Sequence, residues 1–180
     1  MKSMKLPLTL AGLCLAATAL AQGTLKFSNY STVDGIIAPV FDSDGVTPLG
    51  SAYYGQLYAG PAESSLAPIG SAIPFKDAGN VGSGFIIGGS VTVPTVPDYS
   101  KAFVQLRAWE ASGGTSFEAA QAASSKTGES PVFQVVVGSR WIGLPAPLTG
   151  LQSFALVPEP APAWLLAVGL AAFALARRQG

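Results

Sequence analysis

The chain is predicted to be all-β, an antiparallel β-sandwich of jelly-roll or immunoglobulin-like type with one short helix, flanked by an N-terminal signal peptide and a C-terminal transmembrane helix. Three observations predict it. Short runs rich in β-branched and aromatic residues recur through residues 22–156 and are punctuated by Gly, Asp, Asn and Pro. One alanine-rich stretch interrupts them with helical composition. Only the two ends carry apolar runs too long to be ordinary strands.

Taken in order, strands are expected over residues 24–30, 36–41, 53–59, 85–93 with a break at Gly88-Gly89, 103–109, 132–137 and 153–157. Asp34-Gly35, Asp44-Gly45, Ala78-Gly79-Asn80 and Ser112-Gly113-Gly114 separate them, because these residue types tolerate the backbone angles that reverse a chain. Within 103–109, Val104, Leu106 and Ala108 alternate with Gln105 and Arg107, which predicts one buried face and one partly wet face. Thr115 and Glu118 have the spacing of a capping box ahead of Ala119-Ala120-Gln121-Ala122-Ala123, predicting a helix of roughly ten residues that needs a sheet to lean on. Gly128 lies just past its expected end. Pro94, Pro97, Pro131, Pro145 and Pro147 mark edges and loops, and residues 144–149 are too proline-rich for a central strand.

The ends read as addresses. Lys2 and Lys5 precede an apolar stretch at 6–20, and Ala19-Leu20-Ala21 supplies a small-x-small cleavage signal ahead of Gln22. This predicts a signal peptide over 1–21, cut by signal peptidase; a buried helix or uncleaved anchor is the alternative. Cys14 follows Leu13, where lipidation would want a small residue. At the other end, residues 161–176 are uncharged and are followed by Arg177-Arg178. Sixteen helical residues span about 24 Å, short of a hydrocarbon core of about 30 Å, so the anchor is marginal. Trp164 suits the interface, and the two arginines stop transfer on the cytoplasmic side, which leaves the body outside.

Val157-Pro158-Glu159-Pro160, the short apolar helix and the terminal basic pair together resemble a PEP-CTERM sorting signal over 157–180. The resemblance implies recognition by an exosortase-type processing enzyme in the membrane, export through the inner membrane, transient anchoring, and passage to the envelope or exterior. Local physics fits such a strip. Pro158 and Pro160 fix their own φ and push Val157 and Glu159 toward extended backbone, so the motif stands clear of any helix. Glu159 is then the charged group offered for recognition, or else a favourable charge at a helix N-terminus. A looser likeness to small exported proteins with this tail covers residues 23–30, 38–42, 55–61 and 104–118, and brings no catalytic motif.

Residues 22–156 have the length of one domain. They carry six basic side chains (Lys26, Lys76, Lys101, Arg107, Lys126, Arg140) and nine acidic ones (Asp34, Asp42, Asp44, Glu63, Asp77, Asp98, Glu110, Glu118, Glu129). A mildly acidic body lacks the electrostatic footprint of nucleic-acid binding. With neither Cys nor His in this region, thiolate and imidazole catalysis and the usual zinc shells are excluded, and no cofactor or metal is expected.

The leading expectation is a noncatalytic structural or extracellular-matrix protein. A carbohydrate-binding module is the alternative, with extracellular polysaccharide as partner and Tyr53, Tyr58, Trp109 and Trp141, together with Tyr54, as stacking platforms; the other reading of these rings is core or sheet edge. A carboxylate-dependent glycosidase is weaker and would need Glu110 and Glu118 to converge. Asp42-Ser43-Asp44-Gly45 opens like a calcium loop, but Tyr53 stands where the twelfth-position glutamate belongs, so a solvated turn is the preferred reading. Gly82-Ser83-Gly84 and Gly88-Gly89 lack the lysine and helix of a phosphate loop and read as turn or bulge glycines.

Overall fold

The computed structural model describes residues 22–77 and 82–158. The predicted signal peptide with Ala19 and Ala21, the turn at Ala78-Gly79-Asn80, Glu159 and Pro160 of the motif, the predicted helix 161–176 and Arg177-Arg178 lie outside those residues. Among the described residues no helix is long and apolar enough to cross a membrane.

The fold is all-β with one short helix. In chain order the strands are β1 (Gln22–Ser28), β2 (Tyr30–Ser31), β3 (Ile36–Ile37), β4 (Val40–Phe41), β5 (Tyr53–Gly60), β6 (Ala67–Pro74), β7 (Ile87–Pro97) and β8 (Lys101–Glu110). After α1 (Phe117–Ala122) come β9 (Thr127–Glu129), β10 (Phe133–Val136), β11 (Gly138–Ser139) and β12 (Phe154–Ala155). The larger sheet runs β10-β8-β5-β6, with β9 also paired to β8, and the smaller runs β11-β1-β7. Two small pairs complete the fold: β12 parallel to β4, and β2 antiparallel to β3.

Register decides which residues make the core. β5 and β8 pair from Tyr53↔Glu110 to Gly60↔Phe103, so Leu57, Ala59, Val104, Leu106 and Ala108 share one face. They join Leu25 and Phe27 of β1 and Val93 of β7 in one buried cluster, so both sheets close on the same core. Each such Leu, Val or Phe contributes roughly 1.5–3 kcal/mol on burial. The opposite face of β5 and β8 carries Tyr58 and Trp109, which α1 covers with Phe117 and Ala120. The face expected to be partly wet is therefore drier than its composition suggests. Gln105 is buried too, its amide donating to the Ser130 carbonyl at 3.0 Å.

Several boundaries differ from expectation for identifiable reasons. Residues 36–41 form two dipeptide strands because Pro39 has no N–H to give, and the amides on either side turn to other partners, Ala38 to Asn29 O and Val40 to Gly84 O. Gly88-Gly89 does not break β7. The strand runs through it, with the register against β1 slipping between Lys26 and Ser28. β7 also contains Pro94 and Pro97, which its position at the sheet edge tolerates. β6 was not anticipated, since Pro68, Gly70 and Pro74 give it a loop's composition, yet it pairs with β5 as the opposite edge. The helix is six residues long, and its cap is Ser116, whose Oγ accepts the Ala119 N–H at 3.1 Å, in place of Thr115. Ser124, at φ 53°, reverses the chain soon afterwards, and Gly128 falls within β9.

One buried amide ties the corner between the sheets. Asn29 is fully buried; its Nδ2 donates to Ala38 O (2.8 Å) and Gly84 O (3.0 Å), while its Oδ1 accepts the Ile86 N–H at 2.6 Å. Three separate segments meet on one side chain.

The described body has its ends at opposite poles. Gln22 pairs with Pro97, whose carbonyl takes the N–H of Ser100 immediately before β8. Val157 exchanges both backbone hydrogen bonds with Thr127, which lies opposite Trp109 at the far end of β8. From Lys101 to Trp109 a strand advances about 26 Å, and that is the separation of the two ends along the strands.

Candidate functional site

Near the pole that carries Gln22, an apolar loop is held open by a polar frame. Ser139, in β11, accepts the N–H groups of Trp141 (3.1 Å) and Ile142 (3.2 Å) on its Oγ and donates to Asp98 Oδ2 at 2.6 Å. Tyr99 reaches across from the β7–β8 turn, and its hydroxyl donates to the Ile142 carbonyl. Tyr99 sits at φ 54°, a left-handed conformation that costs a non-glycine residue roughly 1–2 kcal/mol. The second oxygen of Asp98 is buried with no donor among the described residues, a further expense. Both costs are borne in fixing this loop.

What the frame displays is hydrophobic. Trp141, Ile142, Leu144 and, beside them, Val33 are 77–94% exposed, and Tyr99 is exposed as well. Arg140 lies over the Trp141 ring, its guanidinium carbon 5.8 Å from the ring centroid. Beyond Leu144 the chain returns along β1, where Ala146 exchanges hydrogen bonds with Thr24 and Lys26. Val33, Leu144, Pro145 and Pro147 then wall an open groove of about 550 Å³ floored by Gly88, Gly89 and Ser90. Its polar edge is Lys26 and Asp34, 3.7 Å apart, with Ser31 donating to Asp34 at 2.5 Å. Space beside Gly89 is open, with no neighbour within 4 Å of where a Cβ would stand.

The rings expected to form a sugar platform do not come together. Tyr58 and Trp109 are buried under α1, stacked edge-on to Phe117 at 6.4 and 6.5 Å. The Trp109 indole donates to the Gly114 carbonyl at 3.0 Å, and Tyr54 packs beside it. The Tyr58 hydroxyl donates to Glu118 Oε1 at 2.8 Å. Burial, then this bond and the Glu118 charge push the phenol up to about 12, with Arg107 opposing. Tyr53 projects from the other face of β5, half-buried, donating to Asp42 Oδ2 at 3.2 Å. Only Trp141 of the four is fully displayed.

The acidic residues are likewise dispersed into structural roles. Register places Glu110 and Arg107 on opposite faces of β8, and Arg107 is the residue that meets Glu118 (3.6 Å) and Glu129 (3.4 Å). Glu118 and Glu110 therefore flank different sides of the sheet, with Glu110 accepting from Ser125 at 3.3 Å. Arg107 also stacks over the Tyr58 ring at 4.2 Å. In the 42–45 turn, Asp44 is lowered to about 2 by the Thr47 hydroxyl and by the Thr47 and Val46 amides. Burial works to raise Asp42, but the Lys126 ammonium on both its oxygens (2.8 and 2.9 Å), the Ser43 amide and Tyr53 leave it below the usual range. These carboxylates are spent on the turn and on one ion pair. Gly84, at φ 76°, lies where a Cβ would meet the Val40 carbonyl at 2.9 Å, which suits a packed turn.

Of the sorting and cleavage residues, Gln22 begins β1, Val157 is paired, and Pro158 is the last residue described. The displayed loop was missed as a site except for Trp141. Its signal was the apolar run Trp141-Ile142-Gly143-Leu144 in a stretch with no strand period, closed by Pro145. Compared with protein-family models, with curated proteins and with solved structures, the chain matches none.

Proposed function

We propose that this is an exported, noncatalytic structural or extracellular-matrix protein, a two-sheet sandwich carried to the surface by its leader and held there transiently by a PEP-CTERM signal at 157–180. An exosortase-type enzyme then cuts near Pro158-Glu159-Pro160, and the body passes to the envelope or exterior. The observation that carries this reading is in the sequence: Val157-Pro158-Glu159-Pro160, the uncharged run 161–176 and Arg177-Arg178 stand in that order on a chain that opens with Lys2, Lys5, an apolar stretch at 6–20 and Ala19-Leu20-Ala21. Within the body, Tyr58 and Glu118 bond each other, Asp44 bonds Thr47 in its turn, and Asp42 is ion-paired with Lys126.

The carbohydrate-binding alternative is left with Trp141, because Tyr58 and Trp109 are core residues and Tyr53 faces Asp42. The glycosidase alternative loses its acid pair to the two faces of β8.

Replacing Pro158-Glu159-Pro160 with Ala-Ala-Ala tests the sorting reading. The full chain, followed by membrane fractionation and immunoblotting in a host that carries an exosortase, should accumulate unprocessed in the membrane. Unchanged processing and release would sink the assignment.

A further inference from the structure

We infer that the Trp141 loop and the adjoining groove wall form a self-association surface, whose partner is a second copy of this chain. The first argument is size. Five residues, Val33, Tyr99, Trp141, Ile142 and Leu144, expose about 600 Å² of largely apolar surface, taking usual side-chain areas. That is the upper end of the largest patch on an ordinary monomer and about three-quarters of what one partner contributes to a stable interface of about 800 Å².

The second argument is preorganisation. An apolar loop left to itself collapses onto the body; this one is held outward by Ser139, Asp98 and a left-handed Tyr99. Strain persists where the surroundings over-determine it, and it marks positions with a task. A rigid aromatic anchor beside aliphatic neighbours is the composition of a hot spot, for which little ordering entropy remains to be lost on contact.

The third argument concerns the partner. A glycan surface needs polar groups free to meet hydroxyls, and the charged groups at this groove, Lys26 and Asp34, already face each other. A bilayer is disfavoured by position. The chain leaves the body through Val157, about 26 Å along the strands from the Tyr99 turn, so a tethered body holds Trp141 away from its own membrane. Two copies tethered to one leaflet have parallel long axes, and a twofold axis along those axes brings the two patches together while both tails stay on the same side. This step uses the sorting reading only to say which pole faces the membrane. Self-association stands without it.

The test uses the full chain in mild detergent, measured by size-exclusion chromatography with light scattering across a concentration series. The expected species is a dimer. Trp141→Ser should weaken it about 30-fold, the loss typical of a central hot spot, and Trp141→Ser with Leu144→Ser should leave monomer. Gly89→Trp, placed where open space surrounds the Cβ, should weaken the dimer without touching the loop. Because these positions are exposed, circular dichroism and melting temperature should match the parent, which separates lost contact from lost fold. A monomeric parent at tens of micromolar overturns the proposal, as does a dimer that survives the double substitution, since its contact would lie in the tail. Saturable binding of Trp141-intact monomer to polysaccharide, or to anionic vesicles, also overturns it. Processing of the Ala-Ala-Ala variant is read separately, so either reading can fail alone.

Discussion

Asn29→Asp changes one atom at the corner where three segments meet and should be among the most damaging isosteric substitutions in the body. Asn29 Nδ2 faces two carbonyl oxygens, of Ala38 and Gly84, at 2.8 and 3.0 Å, while Oδ1 takes the Ile86 amide. An aspartate keeps the last bond but sets an oxygen against two acceptors. Ionised, it adds an unpaired buried charge; protonated, it donates to one carbonyl and leaves the other unmet. An unsatisfied buried group costs about 1–3 kcal/mol and more when charged, so the loss at neutral pH should be about 3–5 kcal/mol, a large share of the 5–15 kcal/mol typical of a domain. The sign of the pH dependence follows. Burial and the carbonyls raise the folded-state pKa of this carboxyl above its unfolded value near 4, so the folded state binds the extra proton between the two values. Stability of the variant is then greatest below about pH 4 and falls by about 1.4 kcal/mol per unit as pH rises toward the folded pKa. Urea unfolding of parent and variant between pH 4 and 8, followed by fluorescence of the buried Trp109, measures the difference. A gap that is small at pH 7, or flat across the range, would refute the assignment of Asn29 as a fully engaged buried donor.

Three further outcomes are expected. Trp109→Phe removes the indole donor to Gly114 and leaves a gap beneath α1, and should cost about 2–3 kcal/mol in urea melts while the core between the two sheets stays intact. Tyr58 is raised to about 12, so its contribution is complete below pH 10 and is lost as pH climbs through 12; Tyr58→Phe should flatten that alkaline loss in thermal melts. Asp44, lowered to about 2, and Asp42, also lowered, lend stability above the ordinary carboxylate range that disappears as pH falls from about 4 toward 2; Asp44→Asn should shrink that acid dependence, and an unaltered acid profile would contradict the turn described for it.

Much of the fold was legible where periodicity was strong. The alternation of Val104, Leu106 and Ala108 against Gln105 and Arg107 locates β8 and its core face, since β5 pairs against it residue by residue. The helix was legible from its alanines, but its cap was placed one residue early, because Thr115 and Ser116 both have capping side chains and only the backbone decides between them. β6 was illegible: an edge strand needs hydrogen bonds on one side, so it accepts Pro68 and Pro74, and its composition then looks like a loop. β9 and β11 are three and two residues long and are created by tertiary pairing rather than by propensity, whereas β12 falls within the run expected at 153–157. The aromatic platform failed for a related reason. Tyr58 and Trp109 stand on the sheet face that α1 covers, and no local pattern says where a short helix will settle. The exposed loop is the converse case, an apolar run kept out of the core because Ser139, itself donating to Asp98, accepts the Trp141 amide and Tyr99 donates to the Ile142 carbonyl, a set that only the folded chain assembles.

The pairing of Val157 with Thr127 sets how near to the described body the polypeptide could be severed without loss of its contacts. Leu156 is buried in the main core and its amide is bonded to Phe41, while β12 just before it lies against β4. A cut after Val157 would keep every described contact of Leu156 and Val157. A cut two residues earlier would take a core side chain away and open a hole at that corner, so the described fold would tell the two sites apart as a difference in melting temperature.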